Sequence, residues 1–98
     1  MTFKEIIQSD KPVLVDFFAE WCGPCKVTAL MLKEVKQEIG DAVTIIKIDV
    51  DKSPQTAGEF KVSSIPTLIL FKKGNQLWRQ TGLMTKGSLI NSLKSHIG

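Results

Sequence analysis

The chain has 98 residues, 43% of them hydrophobic and 23% charged, which is enough for one domain, residues 1–98, that buries roughly 65% of its unfolded surface on folding. Its 13 basic and 10 acidic residues leave a net charge of +3, but they are scattered rather than gathered into a stripe, which argues against nucleic-acid binding. The N-terminus Met1-Thr2-Phe3-Lys4-Glu5-Ile6-Ile7 lacks the apolar run of a secretory leader, and no stretch reaches the length of a membrane span, so a cytoplasmic protein with no membrane attachment is expected.

From Thr2 to Ser9, Phe3, Ile6 and Ile7 recur at i, i+3 and i+4, predicting a short amphipathic helix that starts near Thr2. Pro12 closes that segment. Val13 to Phe18 is an apolar run on both faces, the pattern of a central strand covered on each side by helices. After Trp21-Cys22-Gly23-Pro24-Cys25 the periodicity turns helical: Val27, Met31, Leu32, Val35 and Ile39 fall in one broad arc, and Gly40 is a suitable stop. Cys22 is therefore placed at a helix N-terminus. Val43 to Asp49 reads as a second buried strand, and Ser53-Pro54 as the cap and first turn of a short helix running to about Phe60.

Thr67 to Phe71 and Gln76 to Thr81 are strand-like and separated by Lys72-Lys73-Gly74-Asn75, a polar connection of hairpin length. Thr85 is positioned to cap a closing helix whose Leu89, Ile90, Leu93 and Ile97 share one face. Together these elements specify an α/β domain: a mixed sheet of about four strands, two parallel through a right-handed crossover and two in an antiparallel hairpin, with four helices on its two faces.

The only cysteines are Cys22 and Cys25. Two cysteines placed at random in a chain of this length fall three apart only about 2% of the time, so the spacing is itself a signal. In a reducing compartment it points to catalysis or metal binding rather than to a structural staple. Zinc needs four ligands, and the one histidine, His96, lies far away in the final helix as an expected surface residue, so a metal site is not expected.

Thiolates, not thiols, attack disulfides, and an ordinary cysteine with pKa near 8.5 is only about 3% ionised at neutral pH. The free N–H groups and dipole of a helix start favour an anion by about 0.3 to 2 kcal/mol, enough to raise that fraction roughly tenfold. Cys22, exposed at the helix mouth, is expected to attack, and Cys25, one turn inward, to resolve the mixed disulfide. Pro24 suits the first helical turn, where its missing N–H is no loss. Asp16 interrupts the first strand on the face of Leu14 and Phe18, beneath the expected position of the dithiol, where it is suited to take the Cys25 proton. Lys47 interrupts the second strand on the face of Ile45 and Asp49, and the pairing of neighbouring strands would let it form an ion pair with Asp16. Ile65-Pro66 enters the third strand directly, a place where a sheet tolerates proline; these residues alone favour a trans bond.

The segment Val15-Asp16-Phe17-Phe18-Ala19-Glu20-Trp21-Cys22-Gly23-Pro24-Cys25-Lys26 resembles the signature of the thioredoxin family, and Lys47-Ile48-Asp49-Val50-Asp51, Ser64-Ile65-Pro66-Thr67-Leu68, Phe71-Lys72-Lys73-Gly74 and Gly82 follow at the family's spacing. The resemblance covers almost the whole chain. It implies a three-layer α/β/α thioredoxin-like fold and a general protein disulfide reductase. It also implies a cis bond before Pro66, against the preference just stated, and a flat substrate-docking rim of Trp21, Gly23, Pro24, Ile65, Pro66 and Gly82. By the same resemblance the protein binds no cofactor of its own, receives electrons from NADPH through thioredoxin reductase, acts on disulfide-containing proteins and is monomeric. Four features depart from the pattern. Only 15 residues precede Asp16, so the family's extra N-terminal strand is expected to be missing or shortened, leaving the second strand as a sheet edge. Leu30 stands in place of a helix-kinking proline, Ser64 in place of a glycine, and Phe18 in place of a common tryptophan. Two other readings fit the fold: an oxidase or isomerase, against which Gly23-Pro24 and the absence of a leader argue, and a docking module whose thiols are incidental.

Overall fold

The computed structural model describes residues 1–97. In chain order it contains α1 (Phe3–Ile7), β1 (Val13–Phe18), α2 (Gly23–Ile39), a 3₁₀ turn (Gly40–Ala42), β2 (Thr44–Asp49), α3 (Pro54–Glu59), β3 (Thr67–Lys72), β4 (Asn75–Thr81) and α4 (Lys86–Ile97). The strands form one sheet in the order β2-β1-β3-β4. β1 and β2 are parallel, while β3 is antiparallel to both β1 and β4. β2 is thus an edge strand, as the short N-terminal segment suggested.

Local chemistry sets each boundary. Thr2 and Glu5 close a reciprocal capping box over α1, satisfying N–H groups that a helix start leaves without partners. The chain reverses from β3 to β4 through only Lys73 and Gly74, both at positive φ (54° and 82°), a tighter link than the four polar residues suggested. Such a two-residue turn matches the twist of the strands it joins. The turn is anchored on α1, since the N–H groups of Lys73 and Gly74 donate to the carbonyls of Ser9 and Ile7. Thr85 Oγ1 accepts from Ser88 N–H at 3.1 Å, giving α4 the predicted cap.

Alternation along β1 divides its side chains between two cores. Leu14 packs with Met31, Leu32 and Val35 of α2 and with Leu89 and Leu93 of α4. Val13, Val15 and Phe17 face the opposite way, toward α1 and the end of α3. There Phe3, Phe60 and Phe71 meet edge-on, with ring centroids 5.1 to 6.0 Å apart, the arrangement favoured by aromatic quadrupoles. Arg79 of β4 fastens this layer by donating to the carbonyls of Phe60 and Lys61 at 2.6 and 2.8 Å.

The arc expected on α2 is partly wrong. Its inward seam is Cys25, Thr28, Leu32 and Val35, with Met31 beside it, whereas Val27 is 56% exposed. One residue is a 100° step around a helix, so a seam through Thr28 carries Val27 off the sheet. Leu30, also exposed at 64%, lies on that outer side. Replacing Leu93→Ala in the α4 core is expected to lower unfolding free energy in urea by about 2–5 kcal/mol. Leu30→Ala on the outer face should change it by no more than about 0.5 kcal/mol.

Candidate active site

β1 ends at Phe18, and after three residues the chain enters α2 with Cys22 as its N-cap, in extended conformation (φ −86°, ψ 110°). The cap is a sulfur. Cys25 N–H donates to Cys22 Sγ at 3.2 Å, filling the role that a serine or aspartate oxygen usually takes. Pro24 occupies the first helical turn, where it removes no hydrogen bond. The two sulfurs are joined as a disulfide with Cα atoms 5.3 Å apart.

The expectation that Cys22 is exposed and Cys25 buried does not hold in this oxidised state, because the two are 4% and 3% exposed. What separates them is their place on the helix. Cys22 lies outside the first turn and receives an N–H; Cys25 lies within it. Both pack with Ala19 in a small apolar cluster covered by Phe18, Val50 and Ile65.

Asp16 is completely buried, with 0% exposure, and neither carboxylate oxygen has a hydrogen-bond partner among the described residues. It projects from β1 on the face of Leu14, the face covered by α2. Burial pushes its pKa from 3.8 up to about 6, against the smaller opposing pull of Lys47. Lys47 is its direct partner in the β1–β2 register, as the sequence suggested, but the two do not form an ion pair. The ammonium instead lies over the Phe18 ring, 5.2 Å from its centroid, where a cation keeps solvent and gains from the ring quadrupole. A bond to the carboxylate would require desolvating it.

The residues expected to form a rim come from the segment that holds the cysteines, from the Ile65–Pro66 loop, which reaches them through Ile65 while Pro66 is buried, and from Gly82, which bonds that loop. Trp21, 73% exposed, precedes Cys22, and Gly23 and Pro24 are also exposed. Ile65 packs on the cysteine cluster. The Ile65–Pro66 bond is cis, as the resemblance implied and the isolated residues did not. Gly82 N–H donates to Pro66 O at 2.8 Å, drawing the end of the β3–β4 hairpin against the Pro66 loop, and Gly82 itself sits at φ 89°, a region that glycine occupies without penalty. One site residue escaped the sequence reading: Asp51 Oδ2 accepts from Trp21 Nε1 at 2.8 Å across 30 residues of chain. Nothing in the sequence pairs these two residues, because the N–H of an exposed indole is equally well satisfied by water.

A profile of the family described as Thioredoxin matches residues 1–95. The chain belongs to the thioredoxin family. It is 44% identical to the thioredoxin of Rickettsia typhi over 99% of this chain and 93% of that protein. It is also 47% identical to part of the bifunctional thioredoxin reductase/thioredoxin of Mycobacterium leprae, matching 93% of this chain and 20% of that protein. The oxidised crystal structure of mitochondrial thioredoxin 3 from Saccharomyces cerevisiae superposes with a TM-score of 0.85 at 34% identity, covering 95% and 86% of the two chains. Family membership and the Cys22–Cys25 pair make this chain a disulfide oxidoreductase that reduces protein disulfides. Thioredoxins need no prosthetic group. Among the described residues no helix is long and apolar enough to cross a membrane.

The raised pKa of Asp16 has a consequence for stability whose sign is fixed. Well below pH 3.8 the carboxyl is protonated in both folded and unfolded chains. As the pH rises from 3.8 to about 6, the unfolded chain releases this proton while the folded one retains it, so stability falls; above that range the full penalty is about 3 kcal/mol. Asp16→Asn should therefore stabilise the oxidised protein against urea by up to about 3 kcal/mol near pH 8 and by almost nothing near pH 3. An equal gain at both pH values would mean that the buried charge is not its source.

Proposed function

We propose that Cys22 is the attacking sulfur and Cys25 the resolving one, and that the observation carrying this assignment is the 3.2 Å hydrogen bond from Cys25 N–H to Cys22 Sγ at the start of α2. In the reduced protein the same N–H and the helix dipole favour a negative charge on Cys22. The Cys22 thiolate attacks one sulfur of a target disulfide; that S–S bond breaks, a mixed disulfide forms, and the first target thiolate leaves. Cys25 then gives up its proton and attacks the Cys22 sulfur. The Cys22–Cys25 disulfide forms, the mixed disulfide breaks and the second target thiolate leaves, so that two electrons have passed to the target and two protons follow.

Asp16 is the proton acceptor for Cys25 in this reading. Its pKa of about 6 lets it be ionised at neutral pH yet basic enough to hold a proton transiently, the balance that general-base catalysis requires. Lys47 modulates it from a distance through its field. Trp21, Gly23, Pro24, Ile65, Pro66 and Gly82 supply the rim on which an extended target segment lies across the disulfide. Electrons return from NADPH through a thioredoxin reductase, a pairing supported by the fusion of the two activities in the Mycobacterium leprae relative. The chain acts as a single domain and a monomer, in the cytoplasm.

An assay of insulin-disulfide reduction driven by NADPH and a thioredoxin reductase tests the assignment. Cys22→Ser should abolish turnover entirely. Cys25→Ser should still attack and accumulate a covalent mixed disulfide that a reducing gel releases. Turnover surviving in Cys22→Ser would contradict the assigned nucleophile, and an unaltered protein that reduces no insulin in this assay would favour a docking module whose thiols are incidental.

A further inference from the structure

β2 is unpaired along its outer side. Thr44 N–H and Val50 N–H donate toward β1, to Pro12 O and Phe18 O, so the alternation of a strand turns the N–H and C=O groups of Ile45 and Lys47 away from the sheet. No described residue meets them. Beside this edge, between β2 and α2, lies a groove of about 400 Å³ with Ala29, Leu32 and Ile45 on its floor and Lys33 and Lys47 at its rim. Both lysines are exposed, and neither has a carboxylate partner among the described residues. Lys36, the remaining lysine there, is already committed to the carbonyls of Gly40 and Val43.

We propose that this edge takes an extended, acidic segment of a partner protein as a fifth strand. The segment's backbone bonds to Ile45 and Lys47, its apolar side chains enter the Leu32–Ile45 groove, and its carboxylates meet Lys33 and Lys47. Strand addition of this kind draws affinity from main-chain bonds and specificity from alternate side chains.

Charge separates this occupant from a second copy of the chain. An antiparallel pairing of two β2 strands centred on Lys47 sets that lysine against its own image, and like charges directly opposite destabilise a strand pair. A register that sets Lys47 against Asp49 needs groups already in use, since Asp49 O accepts from Ser53 N–H at 2.8 Å and Asp49 Oδ1 accepts from the N–H groups of Asp51 and Lys52 at 2.9 and 3.3 Å. The lysines therefore disfavour the register that would set them opposite each other in a second copy, and they admit acidic strands.

Two probes test the inference on the oxidised, ¹⁵N-labelled protein: the peptide acetyl-Thr-Glu-Thr-Val-Thr-Glu-Thr-amide, which carries its apolar and acidic side chains on one face, and the same peptide with both Glu replaced by Lys. The acidic peptide should slow amide hydrogen exchange at Ile45 and Lys47 and bind roughly tenfold more tightly than the basic one. Lys33→Glu, which lies outside the dithiol site, should weaken the acidic peptide and strengthen the basic one while insulin reduction stays unchanged. Fast exchange at Ile45 and Lys47 in saturating acidic peptide, or equal binding of both peptides, would overturn the proposal. So would a protein that sediments as a dimer on its own with those two amides protected, because a second copy would then be the occupant.

Discussion

A single N–H, that of Cys25, aimed at the sulfur of Cys22 is the contact around which the site is organised. It depends on α2 starting at Gly23 and on Cys22 standing just outside the helix in extended conformation. A residue earlier or later, the sulfur would lose either its place at the positive end of the helix or its reach to the partner three positions on. The rest of the fold holds that start in place. β1 delivers the chain to it, the sheet and α4 pack against the inner seam of α2, and Ala19 with Ile65 closes the apolar floor beneath the disulfide.

The same architecture carries a cost in the strand that leads to the dithiol. Asp16 is a carboxyl with no hydrogen-bond partner, fully buried on the α2 face of the sheet, where a leucine would pack more favourably at neutral pH. Lys47 is near enough to lower the pKa of Asp16 in part, yet it keeps its ammonium over Phe18. The carboxyl is consequently neither neutralised by a salt bridge nor left to ordinary solvent. An acid destabilised in this way is suited to exchanging a proton with a buried thiol, and functional sites commonly hold groups that stability alone would remove.

Much of this was legible in the residues because the signals were redundant. β1 announces itself through an apolar run on both faces, the Asp16–Lys47 register follows from two charges interrupting neighbouring strands, and Thr2, Thr85 and Gly40 mark helix ends by residue type. Other features depend on contacts that a local pattern does not carry. Val27 is apolar at helical spacing, but only the packed structure shows that the seam runs through Thr28 instead. The cis Ile65–Pro66 bond was implied by family resemblance and not by the dipeptide. The Trp21–Asp51 bond and the Arg79 clamp on Phe60 and Lys61 join residues 18 to 30 positions apart, with nothing in either segment to name the other. The position of Lys47 depends on a competition between an aromatic face in water and a carboxylate out of it, which burial decides and sequence spacing does not.

The most direct test of the account is the rate at which iodoacetamide labels each sulfur of the reduced, folded protein at neutral pH, resolved by peptide mass mapping. A helix start that holds Cys22 as an anion should make that residue react roughly tenfold faster than an unhindered free thiol, with Cys25 protected until the protein unfolds. A Cys22 that labels no faster than the free thiol, or a Cys25 that labels first, would contradict the central claim.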